Sequence, residues 1–163
     1  MGGTVPQQGK ILQVVSTAKT DTFSTTSATF TTVTGLTASI TPSATSSKIL
    51  IIAQISSALH NSADSFGHFK VTRGGTDIYL GDAGSSRIQG VYGGYTLGDN
   101  KSALLSHSVT FLDSPSTTSS TTYQVEARIG AGGTIYVNRS KQDGDDANHS
   151  RGASSITLME VAA

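Results

Sequence analysis

From Lys10 to its last residues the chain alternates. Short runs with an apolar side chain at every second position are separated by clusters of Gly, Ser, Thr, Asn and Pro. A period of two marks a strand with one buried face, whereas an amphipathic helix repeats every three or four residues. "KILQVVS" (10–16) predicts a first strand. In "TFSTTSATFTTV" (22–33) Phe23 and Phe30 are an odd number of residues apart, so one continuous strand cannot point both to the same face. A bulge or break is therefore expected near Ser27. "GLTASITP" (35–42) sets Leu36, Ala38 and Ile40 on one face, and Pro42, with no N–H for the ladder, ends it.

"KILIIAQISSAL" (48–59) is the most apolar segment. Ile49, Ile51, Ala53 and Ile55 share one face, and Leu50 and Ile52 the other. This pattern predicts a central strand covered on both sides. "FGHFKVTRGGTDIYL" (66–80) predicts a hairpin, because Gly74-Gly75 supplies the positive backbone angles of a two-residue turn. The glycine-broken 86–100 predicts a crossover between sheets or the cover of an edge. "KSALLSHSVTFLD" (101–113) predicts a long strand. "TYQVEARIG" (122–130) alternates with Tyr123, Val125, Ala127 and Ile129 inward, and "GTIYVNRS" (133–140) follows across a glycine hairpin turn. "SSITLMEVAA" (154–163) closes the pattern. About ten strands and no helix predict an all-β fold, an antiparallel two-sheet jelly-roll sandwich. An immunoglobulin-like sandwich is the alternative, but neither a tryptophan nor a disulfide supports it. Residues 1–9 read as an anchoring or flexible arm, and 10–163 as a single domain.

Two stretches interrupt the pattern in the same way. "TPSATSSK" (41–48) leads into the most apolar strand, and "SPSTTSSTT" (114–122) leads into the strand at 122–130. The 24 serines and 23 threonines of the 163 residues raise the question of a linker or glycosylated stalk. A mucin-like stalk is longer and richer in proline, and this chain has only 3 prolines. Both stretches read as structured turns, in which proline fixes φ and hydroxyls bond nearby backbone groups.

Charge narrows the function classes. Charged residues are 13% of the chain and the formal net charge is zero. That balance argues against nucleic-acid binding, which needs a basic excess on one face. No apolar run approaches the ~18 residues of a membrane span, and no basic start with an apolar middle marks a signal peptide. The chain has no cysteine, so no disulfide framework or thiolate metal site is available.

Candidate chemistry is sparse. No G-x-S-x-G elbow or P-loop frames a nucleophile or a phosphate, and no catalytic residue, cofactor or metal ligand is assigned. His60, His68, His107 and His149 are widely spaced; one histidine per chain around a symmetry axis is the arrangement that would bind a metal or sense pH. Tyr79, Tyr92 and Tyr95 lie in or beside the glycine-rich crossover. "KQDGDDANHSRG" (141–152) is the most polar stretch. Its Asp143, Asp145, Asp146 and Asn148 form a candidate exposed contact loop with oxygen donors of the kind calcium takes, but without EF-hand spacing. Asn138 and Asn148 each open an N-x-S glycosylation pattern.

The C-terminal strand is apolar on both faces, Ile156 and Leu158 on one and Met159 and Val161 on the other. A covered second face implies a homo-oligomer closed by symmetry. Candidate interface or core residues are Ile49, Ile51, Tyr123, Val125, Met159 and Val161.

"GKILQVVSTAKTDTFSTTSATFTTVTGLTASITPSATSSKILI", "VTFLDSPSTTSSTTYQVEARIG", "YVNRS" and "SSITLMEVA" occur in this order. Together they resemble a domain of tailed-bacteriophage structural proteins, especially marine and cyanobacterial ones, where it ends tail-fibre-like chains. The resemblance spans most of residues 9–162. It implies a trimeric jelly roll similar to the tumour-necrosis-factor and complement globular domains, on the virion surface and without enzymatic activity. The implied partners are further copies of the chain, the major capsid protein or tail proteins, and a host-surface receptor. Because the pattern begins near residue 9 with no shaft before it, a capsid decoration (cement) protein is expected first, and the receptor-binding knob of a tail fibre second.

Overall fold

A computed structural model describes residues 9–60, 66–94, 102–130 and 132–163. Among them are eleven strands and no helix. They are β1 (Ile11–Lys19), β2 (Phe23–Thr25), β3 (Thr31–Ile40), β4 (Lys48–His60), β5 (Gly67–Arg73), β6 (Thr76–Ile78), β7 (Tyr92–Gly94), β8 (Leu105–Asp113), β9 (Thr121–Ile129), β10 (Thr134–Val137) and β11 (Ser154–Val161). The all-β expectation holds, and every strand pairing is antiparallel. Most of the predicted arm lies outside the described residues.

The strands form two sheets in a sandwich-like arrangement. In the six-stranded sheet β4 is central. β11 pairs with its first half and β10 with its last residues along one edge, while β8 runs along the other. β1 lies outside β11 and β2 outside β10. The five-stranded sheet runs β3-β9-β5, with β6 and β7 sharing the far edge of β5. The core is what the period of two selects: Ile49, Ile51, Ala53 and Ile55 of β4 and Ile156 and Leu158 of β11 face Val33, Leu36 and Ala38 of β3 and Tyr123, Val125, Ala127 and Ile129 of β9.

The predicted break near Ser27 is where the chain changes sheet. β2 belongs to the six-stranded sheet and β3 to the five-stranded one. Ser27 Oγ donates to the Thr29 carbonyl and accepts the Thr29 N–H, 2.7 and 3.1 Å. The Gly74-Gly75 hairpin is present, with φ of +54° and +81°, and β7 covers the far edge of β5 as 86–100 suggested. Two expectations are corrected. "GAGG" does not close a hairpin: β9 and β10 lie in different sheets, so glycine marked the turn without fixing the next partner. Among the described residues only one face of β4 is fully covered, since Leu50 is half-buried and Ile52 exposed.

Both Pro-Ser stretches are ordered crossings between the sheets, and a buried carboxylate pins each one. In the first, Glu160 of β11 is 1% exposed. Its Oε1 accepts the Ser43 N–H and hydroxyl at 2.7 and 2.6 Å, and its Oε2 accepts Gln13 Nε2 at 2.6 Å. Burial pushes the Glu160 pKa up, but hydrogen bonds from Ser43, Gln13 and Ser47 outweigh it and bring the pKa from 4.5 to about 2. In the second, Asp113 at the end of β8 accepts Arg73 Nη1 at 2.8 Å and the Tyr123 hydroxyl at 2.7 Å, tying β8 to β5 and β9 of the other sheet. Burial, with the Asp113 carboxylate beside it, raises the Tyr123 pKa, so the phenol stays a donor.

A testable consequence concerns acid. With its folded pKa depressed, Glu160 binds fewer protons in the folded state than in the unfolded one. Its contribution is complete above about pH 4.5 and is lost as pH falls through about 2. Glu160→Gln should cost roughly 2 kcal/mol at neutral pH, the scale of hydrogen bonds to a charged group, and should remove this part of the acid slope. Urea denaturation at a series of pH values checks both. An unchanged acid slope in the variant counts against the assignment.

Candidate functional site

The outer face of the six-stranded sheet is the surface that the core-facing register leaves over. On β1, β11, β4 and β8 the outward side chains line up in rows. Val14 pairs with Met159, Met159 with Leu50, and Leu50 with Leu112, so one apolar row crosses four strands. Val14 is 56% and Leu112 50% exposed. Ile11 pairs with Val161 on one side of this row. On the other, the next row reads Ser16, Thr157, Ile52 and Thr110, and the one after it Ala18, Ser155, Gln54 and Ser108. Ser16 and Thr157 share a hydroxyl hydrogen bond of 2.8 Å.

Across the three rows that start at Val14, Ser16 and Ala18 there is no charged side chain. Lys48 stands at the margin, opposite Val161, and donates to Ser114 Oγ at 2.8 Å. The outer face of the five-stranded sheet is the opposite case. There Lys70 is paired with Asp77 and Glu126 at 2.6 and 3.3 Å, and Lys70 and Arg128 lie over the Phe30 ring. An exposed apolar patch in an uncharged surround has the composition of an interface core, where charged residues are depleted.

The predicted site residues divide. Ile49, Ile51, Tyr123 and Val125 are in the core, fully buried. Met159 and Val161 are half-buried on the outer face, Met159 within the apolar row. Val14, Leu50 and Leu112 complete that row; none of them is an interface candidate from sequence, although Leu50 is placed there on the second apolar face of its strand.

Asp143, Asp145, Asp146 and Asn148 are exposed on the loop between β10 and β11. Asp143 is held by two arginines: Arg151 Nε and Nη2 donate at 2.7 and 2.6 Å, and Arg139 Nη1 lies at 3.0 Å. Slight burial raises its pKa, but the two guanidiniums outweigh that and lower it. Asp146 accepts the Asn148 N–H and Nδ2 at 2.8 and 2.7 Å. The Asp143 oxygens and Asp146 Oδ1 are thus engaged by neighbouring side chains and backbone, and among the described residues no group of three or more acids, histidines or cysteines is placed to hold a metal ion.

Within one chain the described histidines lie apart. His107 is buried between the sheets with Nε2 2.8 Å from Ser57 Oγ. His68 is half-buried on the outer face of the five-stranded sheet, opposite Arg128, and His149 lies in the polar loop. The His60 side chain and Tyr95 lie outside the described residues. Tyr79, at φ +54°, stacks on Phe111 with ring centres 4.6 Å apart, and Tyr92 packs on His107 at 3.8 Å. Asn138 is fully buried, so its glycosylation pattern is inaccessible in the folded chain, whereas Asn148 is exposed.

No protein-family model and no curated protein matches the chain.

Proposed function

We propose that this chain is a non-enzymatic structural protein of a bacteriophage virion. It assembles as a homotrimer of jelly rolls and decorates the outer surface of the capsid, contacting the major capsid protein. The observation that carries the assembly is the apolar row Val14-Met159-Leu50-Leu112 with the two uncharged rows beside it on the outer face of β1, β11, β4 and β8. A second copy can cover such a face without burying an unpaired charge. The strand orders also support the jelly roll: β1-β11-β4-β8 opposite β3-β9-β5-β7 interleaves eight strands in two four-stranded layers, as that architecture does. The virion setting rests on the ordered sequence segments that resemble phage structural domains. The non-enzymatic reading is supported by Ser57-His107, the one serine–histidine hydrogen bond among those described. It is shut between the sheets, with Ser57 only 1% exposed.

A second reading, the receptor-binding knob of a tail fibre, is favoured by an open cleft of about 430 Å³ lined by Phe66, His68, Ile88 and Tyr92. Phe66 and Ile88 are exposed there, as aromatic and apolar groups of a surface-binding site are.

The experiment is to mix labelled protein with DNA-filled heads and, separately, with intact host cells, and to image the particles. Decoration expects regular density on the head lattice at three-fold positions. Binding to cells and none to heads would replace decoration by the knob. Binding to neither, with no density on the particle, would sink the virion assignment.

A further inference from the structure

His107 is a buried imidazole, and among the described residues no acid lies beside it. It lies on the inner face of β8, opposite Ile55 of β4, and is 7% exposed. Its ring is 3.8 Å from that of Tyr92 on β7 and 5.7 Å from that of Phe69 on β5. Among the described residues, those placed against it are Ile55 and Ser57 from β4, Phe69 from β5 and Tyr92 from β7. None of these described neighbours is charged. Lys70 and His68 of β5 and Glu126 and Arg128 of β9 alternate with core residues and belong to the opposite face of their sheet. Asp113 and Arg73 lie at the other end of β8 and β5.

Among the described residues, the segment above His107 is held by few backbone pairings. β7 pairs with Gly67–Phe69 through three residue pairs, and Val91 N–H donates to the Phe69 carbonyl at 3.0 Å. Its glycines let it lie close on β5: a Cβ at Gly90 would meet the Phe69 carbonyl oxygen at 2.8 Å, and one at Gly93 the His68 ring at 2.9 Å. Val91 and Tyr92 are its anchors on the core. A short edge element with few pairings belongs to the part of a fold that opens locally at the lowest free energy.

We propose that Gly90–Gly94 is an acid-released latch, seated while His107 is neutral and freed when a proton leaves the imidazole charged, without a counter-ion, beneath Tyr92. The Ser57 hydroxyl can accept from Nε2–H in either state, and being neutral it supplies no counter-charge. The attraction of a cation for the tyrosine face is smaller than the cost of holding an unpaired charge out of water. Release would open the wall that Gly90, Tyr92, Gly93 and Gly94 give the cleft at Phe66 and Ile88. The latch goes beyond the assembly reading and stands apart from it, because it borders the five-stranded sheet and not the uncharged face.

Burial brings the His107 pKa from 6.5 to about 4. The seated latch therefore binds fewer protons than the released one; its stability is complete above about pH 6.5 and is lost as pH falls through about 4. Amide hydrogen exchange on the full chain between pH 7 and 4, corrected for intrinsic rates, tests this. Protection over residues 90–94 is expected to fall by roughly 100-fold relative to β4 and β11, and the His107 proton resonances should titrate over the same range. His107→Gln, which keeps a partner for Ser57, and His107→Phe, which keeps a ring under Tyr92, should both flatten the fall. His68→Gln should leave it in place. Protection that does not change with pH, a fall that survives in both His107 variants, or one abolished by His68→Gln would each overturn the latch. If His107→Phe does not fold, His107→Gln and the wild-type titration still decide.

Discussion

Asn138→Ala should lower folding stability by about 3–4 kcal/mol, measured by urea denaturation at fixed protein concentration. Asn138 follows β10, is fully buried, and sits at φ +62°. Its Nδ2 donates to the carbonyls of Lys19 and Asp21 at 2.8 and 3.0 Å, and its Oδ1 accepts the Ser154 hydroxyl at 2.6 Å. Its backbone N–H bonds the Ser56 carbonyl, and its own carbonyl accepts the Gly152 N–H. One side chain thus joins the end of β1 to the start of β11, beside β4. Alanine would leave the Ser154 hydroxyl and the Lys19 carbonyl short of a partner where water does not reach. It would also hold an alanine Cβ in the left-handed region, which costs roughly 1–2 kcal/mol. Asn138→Gly separates the two causes, and should recover up to about 1 kcal/mol of the loss if the backbone angle contributes. A loss below about 1 kcal/mol in the alanine variant would show that these bonds are not what holds the corner.

Why this residue escaped the sequence reading is instructive. In sequence Asn138 opens an N-R-S pattern, and nothing local says that its amide is consumed by carbonyls from another strand. The features legible in advance were those encoded within one strand. The odd Phe23–Phe30 spacing located the change of sheet, the alternation of β9 gave its buried face, and Gly74-Gly75 gave a hairpin. Pairing across the chain was not encoded that way. "GAGG" reads the same whether the next strand turns back or crosses to the other sheet. The row Val14-Met159-Leu50-Leu112 exists only once three registers are known. One signal was available: Glu160 is in phase with Ile156 and Leu158, and His107 with Val109. A titratable residue at an inward position must be hydrogen-bonded or held neutral, as these two are.

Leu50→Lys tests that row directly and is expected to have the largest effect on assembly. Leu50 is central in it, with Met159 on one side and Leu112 on the other. Its side chain points away from the core, so the fold of a single chain should survive and circular dichroism should change little. In an assembly that covers this face, each copy would instead bury an ammonium without a partner, which costs at least about 3 kcal/mol per interface, or more than a hundredfold in association. Light scattering on the wild-type protein should give the mass of three 16.7 kDa chains, and on the variant at the same concentration the mass of one. Gln124→Lys, on the outer face of the five-stranded sheet, is the matched control and should keep the wild-type mass. A wild-type protein that runs as one chain at every concentration, or a Leu50→Lys variant that keeps the mass of three, would remove this face from the assembly. The apolar row would then have to be explained by contact with a different protein, and the decoration reading would lose the observation on which its assembly stands.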